Sequence, residues 1–428
     1  MKKLSLTNKK AVLLKNTIML YILTFSTYLM SFIVVPIETR VLGTTNYGVL
    51  GVGTAVMVYF QLIIDFGFIL SATEEVSRNR EDLPRLRKIF TSVTINKLAL
   101  ALISVVVLIV LCSLVPNWKG NTLFFVLMFI ATALNSLIPD YLYRGIEQMG
   151  AITVRTVCIK FFFTLMIFFF LKKPEDLLLI PILNIIGNGV ALLSVYIHLQ
   201  HKFRIHFVKC SLRDILSNIS ASLVFFLSRI ATTMYGAANT IILDILSGGT
   251  STAFYSSADK LVTTAKNGMS PISDSLYPYM TKHRDFKLVK KVLMIAMPVI
   301  IAGCAVVFIW AEPLCLWFFG KEYGGVAPVL RAMLPVVAIT LPSYILGFPT
   351  LSAMGLSKYA NYSVIFGSVI HIINLCVLYF TGLMNMVTLA ALVSVAEAII
   401  LAFRVVVIVK NRHLLNTPGE EKADERIL

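Results

Sequence analysis

Apolar segments long enough to cross a lipid bilayer recur along almost the whole of this 428-residue chain, and they constrain its fold more than any other feature. A membrane-spanning helix needs about 20 predominantly apolar residues, because the hydrocarbon core is about 30 Å thick. The 57% hydrophobic and 14% charged content agrees with a chain that lies mostly in lipid. Hydropathy predicts eleven spans, at residues 17–39, 47–70, 92–115, 123–143, 152–171, 177–198, 218–246, 292–318, 326–350, 361–382 and 386–408.

A twelfth crossing is predicted in residues 254–279, a segment that is too polar to face lipid. Basic clusters precede the seventh apolar span and follow the polar segment, and such clusters stay on the cytoplasmic side of a membrane. A span that leaves the cytoplasm must be followed by a return, and only the polar segment has the required length. With twelve spans, both termini and most of the 38 Lys and Arg are predicted to be cytoplasmic.

Charge, cysteine content and loop length exclude several classes of function. The net charge of +16 is spread over loops beside spans, where topology and anionic lipid account for it without a nucleic-acid partner. The six cysteines and six histidines show no metal-ligand spacing, so we expect no metal, no cofactor and no disulfide framework. Because every predicted loop is short, an enzyme such as a membrane glycosyl polymerase is disfavoured. We expect the function to lie inside the helical bundle and not to be enzymatic.

The two halves of the chain resemble each other at one turn. Residues 36–48 and 243–256 each close an odd-numbered span with a short outer turn and open the next span at a Tyr. Two parallel repeats of six helices enclose a central cavity. The predicted organisation is an N-terminal bundle, a cytoplasmic linker, a C-terminal bundle and a polar cytoplasmic tail, at residues 1–200, 201–214, 215–410 and 411–428.

The predicted polar crossing carries a candidate site. If it is helical, steps of three and four residues place six polar side chains on one face. These residues are Asp259, Thr263, Lys266, Ser270, Ser273 and Tyr277. Each buried charge would cost about 3 kcal/mol in lipid on insertion scales. The stripe is therefore expected to face protein or water.

Ionisable residues in other spans are functional candidates by default. The alternative is that they form structural ion pairs or, as expected for Arg404 near a helix end, extend to the membrane interface. Bases and acids in the spans are nearly balanced, with Lys97, Lys160, Arg229, Lys260, Lys266 and Arg404 against Asp65, Asp244, Asp259, Asp274 and Glu397. Three prolines at intervals of seven predict a gating kink in one span, at Pro335, Pro342 and Pro349.

Four motifs, taken in order, resemble those of the Wzx-type polysaccharide flippases, which belong to the multidrug/oligosaccharidyl-lipid/polysaccharide exporter superfamily. They are Arg40–Gly43 with Tyr47–Gly48, Asp65–Phe68, Pro139–Glu147 and Tyr255–Lys260. The resemblance covers nearly the whole chain in length, span count and motif order. It implies an all-α polytopic membrane protein with twelve transmembrane helices. The two six-helix bundles would be related by a pseudo-two-fold axis in a V-shaped, alternating-access architecture like that of multidrug and toxin extruders.

The resemblance also implies a cargo and a location. Such a flippase moves an undecaprenyl-diphosphate-linked oligosaccharide from the inner to the outer leaflet of the bacterial cytoplasmic membrane, for O-antigen, capsule or exopolysaccharide biosynthesis. The expected partners are this substrate, membrane lipids, a polysaccharide polymerase and glycosyltransferases. By matching motif, the resemblance places Arg40, Asp259 and Lys260 in the substrate cavity. Charge placement adds Lys97, Arg229 and Lys266, and the stripe adds Thr263, Ser270 and Tyr277.

A cation-coupled multidrug extruder of the same superfamily remains the main alternative, because the charges within the spans nearly cancel. Such an antiporter needs an unpaired membrane carboxylate that is accessible from the cavity. The candidates for this coupling carboxylate are Asp65, Asp244 and Glu397. A membrane glycosyl polymerase is the third alternative.

Overall fold

The computed structural model describes residues 6 to 416, which are almost entirely helical and contain no strand. The long helices, numbered in chain order, are α1 (Leu6–Asp65), α2 (Phe68–Arg78), α3 (Leu83–Leu114), α4 (Thr122–Leu137), α5 (Met149–Phe170), α6 (Leu179–Phe203), α7 (Leu212–Ser247), α8 (Gly249–His283), α9 (Phe286–Ile309), α10 (Val326–Leu346), α11 (Ser357–Phe380) and α12 (Met386–Lys410). Shorter helices lie at Pro116–Lys119, Asp140–Gly145, Ala311–Phe319 and Phe348–Ala353, and 3-10 turns at Pro174–Leu178, Lys321–Tyr323 and Arg412–Asn416. The prediction of an all-α protein is confirmed.

Nine helical stretches within residues 6–416 are long and apolar enough to cross a membrane. They are fewer than the eleven hydropathy spans for two reasons. The first two spans lie in one continuous stretch, Thr24–Arg78, and in α7 only the short section Ala237–Ser247 counts as an apolar helix. The predicted polar crossing is helical as α8, whose 35 residues extend about 50 Å, more than the hydrocarbon thickness. The total of twelve spans stays a prediction.

Large apolar side chains on the outside of the helices identify the surroundings of the protein. In α9 none of the most apolar window is buried, and Val299, Ile295 and Ile309 are mostly exposed. A soluble protein rarely exposes such contiguous apolar surface, whereas lipid tails cover it at no cost. The chain is therefore a multi-pass membrane protein.

Local side-chain contacts fix the starts of several helices. Asp82 accepts a hydrogen bond from the backbone N–H of Arg85 at the start of α3, and Asn385 caps α12 in the same way. Before α7, the backbone and hydroxyl groups of Ser211 donate to the carboxylate of Asp214 at 3.2 and 2.9 Å. These hydrogen bonds hold the pKa of the Asp214 carboxyl below its ordinary value. The polar linker sequence thus defines where α7 begins.

Two glycine turns have nearly the same backbone conformation. Gly43, inside α1, has φ 68° and ψ 179°, and Gly248, between α7 and α8, has φ 78° and ψ −177°. This region of the Ramachandran map is essentially restricted to glycine. Each glycine joins two long helical segments with hardly any intervening loop. The two turns agree with the similarity predicted between residues 36–48 and 243–256.

The chain divides into two compact units, here called unit 1 (Met1–Thr233) and unit 2 (Met234–Leu428). The division falls inside α7. Its first part packs in unit 1, where the Ser222 and Ser71 hydroxyl oxygens are 2.6 Å apart. The predicted boundaries around the linker at residues 201–214 stay predictions. The predicted tail, residues 411–428, lies outside the described residues from position 417 onward.

The span with three prolines is interrupted. Pro335 and Pro342 lie inside α10, which ends at Leu346, and Gly347 separates it from the short helix in which Pro349 occupies the first turn. A proline removes a backbone donor and disfavours helical geometry in the residue before it, so the break at this position has a local cause. A gating role for the break stays a prediction.

Candidate functional site

The polar helix α8 packs within unit 2 through one face. Tyr255, Ala258 and Val262 are buried in its first half, and Leu276 and Met280 join an apolar cluster with α9 and α10 in its second half. Most of the buried residues of α8 are apolar, in agreement with the amphipathic pattern of the sequence, although Thr252 and Ser257 are buried as well.

The predicted polar stripe runs along the border of this packed face, and its members do not all point the same way. Ser273 turns inward and donates to the backbone carbonyl of Tyr344 at 3.3 Å. Thr263 and Tyr277 are exposed, whereas Asp259 and Ser270 are half-buried. Lys260, adjacent to the stripe, is also exposed. The stripe therefore presents both buried and accessible polar groups.

Lys266 turns inward and forms an ion pair with Glu397 of α12, with 2.6 Å between Nζ and Oε1. The Lys266 side chain is 21% exposed and that of Glu397 is 9% exposed. A charge-assisted hydrogen bond of this length in a low-dielectric surrounding is a strong interaction. The pair combines a predicted substrate ligand with a predicted coupling carboxylate. Nothing in the sequence spacing indicates that they meet, because they are 131 positions apart.

Asp259 lies close enough to Lys266 and Lys260 to interact with both electrostatically. It also faces Tyr255, one turn earlier on the same helix. The middle of α8 therefore carries a cluster of charges of both signs. Asp244, the third coupling candidate, is buried near the end of α7.

A buried hydrogen-bond network lies beside this cluster. The amide nitrogen of Asn239 in α7 donates to the Tyr255 hydroxyl at 2.9 Å, and its oxygen lies 3.0 Å from Nε2 of His371 in α11. All three residues are buried. His371 is therefore a packed histidine with a hydrogen-bond partner. Sequence reasoning missed Asn239, although a polar amide inside an apolar helix end is itself a signal of a buried partner.

Unit 1 contains a second buried lysine pair. Lys97 of α3 donates to Oδ1 of Asp65 at 2.9 Å and to the backbone carbonyl of Ser136 at 2.5 Å. Its Nζ atom also lies 5.9 Å from the centre of the Tyr141 ring, and its side chain is only 6% exposed. Two predicted site residues, Lys97 and Asp65, are thus brought together. Their contacts hold the middle of α3 against α1.

Three arginines of unit 1 lie in different surroundings. Arg155 in α5 forms an ion pair with Asp140 at 2.7 Å, a contact that sequence reasoning did not predict. Arg40 and Arg229, both predicted substrate ligands, are exposed.

Arg404 shows that one expectation was wrong. It does not extend to the membrane interface but is buried against α10 and α11. Its Nε atom donates to the Ser363 hydroxyl at 2.9 Å, and Nη1 donates to the Ser343 hydroxyl at 2.9 Å and to the Ser343 carbonyl. Polar acceptors on two neighbouring helices satisfy the guanidinium, so it has no need to reach water.

Within residues 6–416, no group of three or more His, Cys, Asp or Glu side chains could hold a metal ion. The site in unit 2 consists of charged side chains and hydrogen-bonding side chains. Such an arrangement can bind and release charged cargo, and nothing in it resembles a nucleophile with its activating base.

Comparisons with known proteins give a consistent picture. The family described as "Polysaccharide biosynthesis protein" matches residues 13–284. A relative from Shigella dysenteriae, which carries the provisional name of O-antigen transporter, is 27% identical over 367 residues. The alignment covers 84% of this chain and 91% of the relative. Because this relative is named a transporter, the expectation of a non-enzymatic protein is confirmed.

Two solved structures share the fold. The lipid II flippase MurJ, in an inward closed conformation, aligns with a TM-score of 0.68 at 13% identity, over 92% of this chain and 89% of its own. An inward-facing multidrug resistance transporter of the MATE family and MOP superfamily aligns with a TM-score of 0.66 at 13% identity, over 90% and 94%. At this identity the likeness shows the fold alone. The fold that the resemblance implies is confirmed, and the family match supports the resemblance itself.

Proposed function

The chain belongs to the polysaccharide biosynthesis protein family, and from this premise we propose that it is a flippase for a lipid-linked oligosaccharide. The cargo would be an undecaprenyl-diphosphate-linked repeat unit, moved from the inner to the outer leaflet of the bacterial cytoplasmic membrane for surface polysaccharide biosynthesis. The observation that carries this proposal is the cluster of cations and hydroxyl groups on α8, a helix of membrane-spanning length. The name of the Shigella dysenteriae relative supports the same class of cargo.

The phosphate groups would bind to lysines of α8. Diphosphate oxygens need cationic partners, and charge-assisted hydrogen bonds are the strong ones. Lys260 is exposed and available at the surface of α8, and Lys266 lies about one and two-thirds turns further along, at the border of the packed face. We place Arg40 and Arg229 as additional cationic ligands, as their motif or charge placement predicts. Lys97 is a weaker candidate because its contacts in unit 1 already satisfy it.

The sugar would contact the accessible part of the stripe. Thr263 and Ser270 supply hydroxyl groups, and the exposed Tyr277 offers an aromatic face with a polar tip. These groups suit many glycans, so they bind saccharides as a class. Asp259 would orient the lysines beside it.

Exchange of partners at Lys266 would link binding to ion coupling. Glu397 holds Lys266 in the described conformation. Protonation of Glu397 would remove its charge and release Lys266 to a phosphate oxygen, whereas deprotonation would restore the pair and expel the phosphate. Among the three coupling candidates Glu397 is favoured, because its ion-pair partner is a proposed substrate ligand on α8, whereas Asp65 is held by the more deeply buried Lys97. The break between α10 and Pro349 would let the C-terminal helices move.

The proposal also includes the orientation of the protein in the membrane and the enzymes that would supply and consume its cargo. Both termini would be cytoplasmic, as the distribution of basic residues predicts. Glycosyltransferases would supply the cargo on the inner leaflet, and a polysaccharide polymerase would consume it on the outer leaflet.

The test is complementation of a strain that lacks this gene. Wild-type protein and the control variant Lys321→Ala, which changes an exposed lysine in a 3-10 turn far along the chain from α8, should restore surface polysaccharide. Lys260→Ala and Lys266→Ala should not restore it at equal protein levels. Normal polymer in both variants would contradict a cationic site on α8.

The same strain separates the alternatives. Loss of resistance to polyaromatic cations with intact surface glycan would identify an extruder instead. Accumulation of unpolymerised repeat units on the outer leaflet would identify a polymerase. A flippase predicts accumulation on the inner leaflet.

A further inference from the structure

A groove opens between α5 and α6 of unit 1, and none of the residues proposed for cargo binding or coupling lines it. The two helices touch at Gly187 of α6, where an added Cβ atom would lie 2.5 Å from the ring of Phe163 in α5. Toward the start of α5 and the end of α6 they leave a cavity of about 620 Å³. That volume falls in the range of small-molecule sites, about 300 to 1,000 Å³.

The walls of the groove are apolar and face outward. Val154 on α5 and Val190 on α6 are 60% and 61% exposed, and Ala151, Ile159 and Ala191 are further apolar residues of the lining. Gly150 widens the groove, because no atom lies within 4 Å of the position its Cβ would occupy. The surface therefore has the shape and polarity that suit a hydrocarbon chain.

Three basic side chains line the mouth of the groove. Lys202 supplies its net positive charge, because Asp140 offsets Arg155 and an ordinary histidine is largely neutral at pH 7. Arg155 is oriented by its ion pair with Asp140, and Nδ1 of His198 lies 2.7 Å from the Tyr143 hydroxyl. Lys202 lines the same end and is exposed. Partners from the short helix Asp140–Gly145 thus fix two of the three basic side chains before any ligand arrives.

The position of the groove matches one leaflet of a membrane. Its lining on α6 extends from Val190 to Lys202, about 18 Å along a helix, and half of the hydrocarbon core measures about 15 Å. The mouth lies at the helix ends that the distribution of basic residues predicts to be cytoplasmic. The cytoplasmic leaflet is also the one that carries anionic lipids, which basic side chains near the surface attract.

We propose that this groove is a binding site for an anionic phospholipid of the inner leaflet, with its phosphate at Arg155, His198 and Lys202 and an acyl chain along the apolar walls. The charge of the mouth selects an anionic headgroup, and the apolar walls favour a lipid over a soluble phosphate ester. The site is separate from the proposed substrate ligands on α8. Its occupant would hold α5 and α6 apart at their cytoplasmic ends.

Native mass spectrometry of the full-length protein with dioleoyl phosphatidylglycerol or dioleoyl phosphatidylethanolamine tests the proposal. The wild-type protein should bind phosphatidylglycerol more tightly, by about fivefold for each basic side chain that contacts the headgroup. Lys202→Glu should remove this preference by charge reversal, and Gly150→Phe should remove it by filling the groove. Glycerol phosphate, which has no acyl chain, should not compete.

Two matched controls lie close by. Lys209→Glu makes the same charge change at another exposed lysine near the same helix end, outside the lining. Gly189→Phe adds the same ring at a glycine of α6 that also has open space around its Cβ position but does not line the groove. Both controls should keep the preference. Equal binding by all four variants, equal loss in all four, or displacement by glycerol phosphate would each overturn the proposal.

A second measurement needs no substitution. Cys158 lines the groove, and Cys376 in α11 is exposed elsewhere. Reaction of Cys158 with a lipid-soluble maleimide should be slower in phosphatidylglycerol nanodiscs than in phosphatidylethanolamine nanodiscs, while Cys376 reacts equally in both. Equal rates for Cys158 in the two lipids would contradict occupation of the groove.

Discussion

The two units each hold a lysine against a carboxylate, but the more exposed member of the pair differs. In unit 1 the Lys97 side chain is 6% exposed, against 20% for Asp65, and Lys97 also donates to the Ser136 carbonyl. In unit 2 the Lys266 side chain is 21% exposed, against 9% for Glu397. A buried lysine with two acceptors can only stabilise the conformation that contains it, whereas a half-buried lysine can exchange one anion for another. We therefore expect the two lysines to serve different functions.

The loss of one partner should also cost more free energy in a buried pair than in a pair near the surface. Removing one member of a buried ion pair leaves an uncompensated charge, and the cost is large because the low-dielectric interior provides no other solvation. Near a surface, water or a ligand can replace the lost partner. We therefore expect substitutions in unit 1 to affect stability most and substitutions in unit 2 to affect transport most.

The largest expected effect follows from Lys97→Met, which leaves Asp65 and the Ser136 carbonyl without their buried donor. The loss of stability should be about 3 to 5 kcal/mol, the usual cost of breaking a buried pair. Thermal unfolding in detergent measures it. The double variant Lys97→Met with Asp65→Leu removes both charges and should recover most of the loss. An unchanged unfolding temperature in the single variant would show that the Lys97–Asp65 pair does not stabilise the folded protein.

The next effect is expected from Lys266→Gln, which keeps a donor for Glu397 but removes the positive charge. A hydrogen bond between a charged group and a phosphate contributes about 1.5 to 3 kcal/mol, so transport should fall about 10- to 150-fold at similar stability. Surface polysaccharide per cell reports the loss.

Lys266→Gln combined with Glu397→Gln is the informative control for that variant. If the Lys266–Glu397 pair only holds α8 to α12, neutralising both members should restore transport. If Lys266 binds cargo, the double variant should stay as inactive as Lys266→Gln. Restored transport in the double variant would show that the Lys266–Glu397 pair, like the Lys97–Asp65 pair, only stabilises the structure.

The smallest expected effect concerns the two glycine turns, which are alike in both halves. Gly43→Ala and Gly248→Ala force a side chain into a backbone region that is almost exclusive to glycine, at a cost of about 1 to 3 kcal/mol each. Because the two φ values differ by only 10°, 68° against 78°, the two losses in unfolding temperature should be similar. If the unfolding temperature fell in only one of the two variants, the two halves of the chain would differ at their glycine turns as well as at their lysine pairs.

The sequence predicts the elements of this fold better than the contacts between them. The apolar spans follow from hydropathy, and the crossing by the polar helix α8 follows from the basic clusters on either side of it and from its length. The pairing of Lys266 with Glu397 depends on how α8 and α12 pack, which no local pattern contains. The burial of Arg404 is another case, because only the arrangement of Ser343 and Ser363 shows that its guanidinium is satisfied away from water. Asn239 was overlooked for the same reason.

Direct measurement of leaflet exchange in proteoliposomes tests the central claim that cations of α8 carry a lipid-linked oligosaccharide across the membrane. A fluorescent polyprenyl-diphosphate saccharide would be placed in one leaflet, and an impermeant glycan-modifying reagent would report its arrival in the other. Wild-type protein and Lys321→Ala should exchange the lipid rapidly, whereas Lys260→Ala and Lys266→Gln should slow the exchange at least tenfold. Exchange by both α8 variants at the wild-type rate would contradict the account.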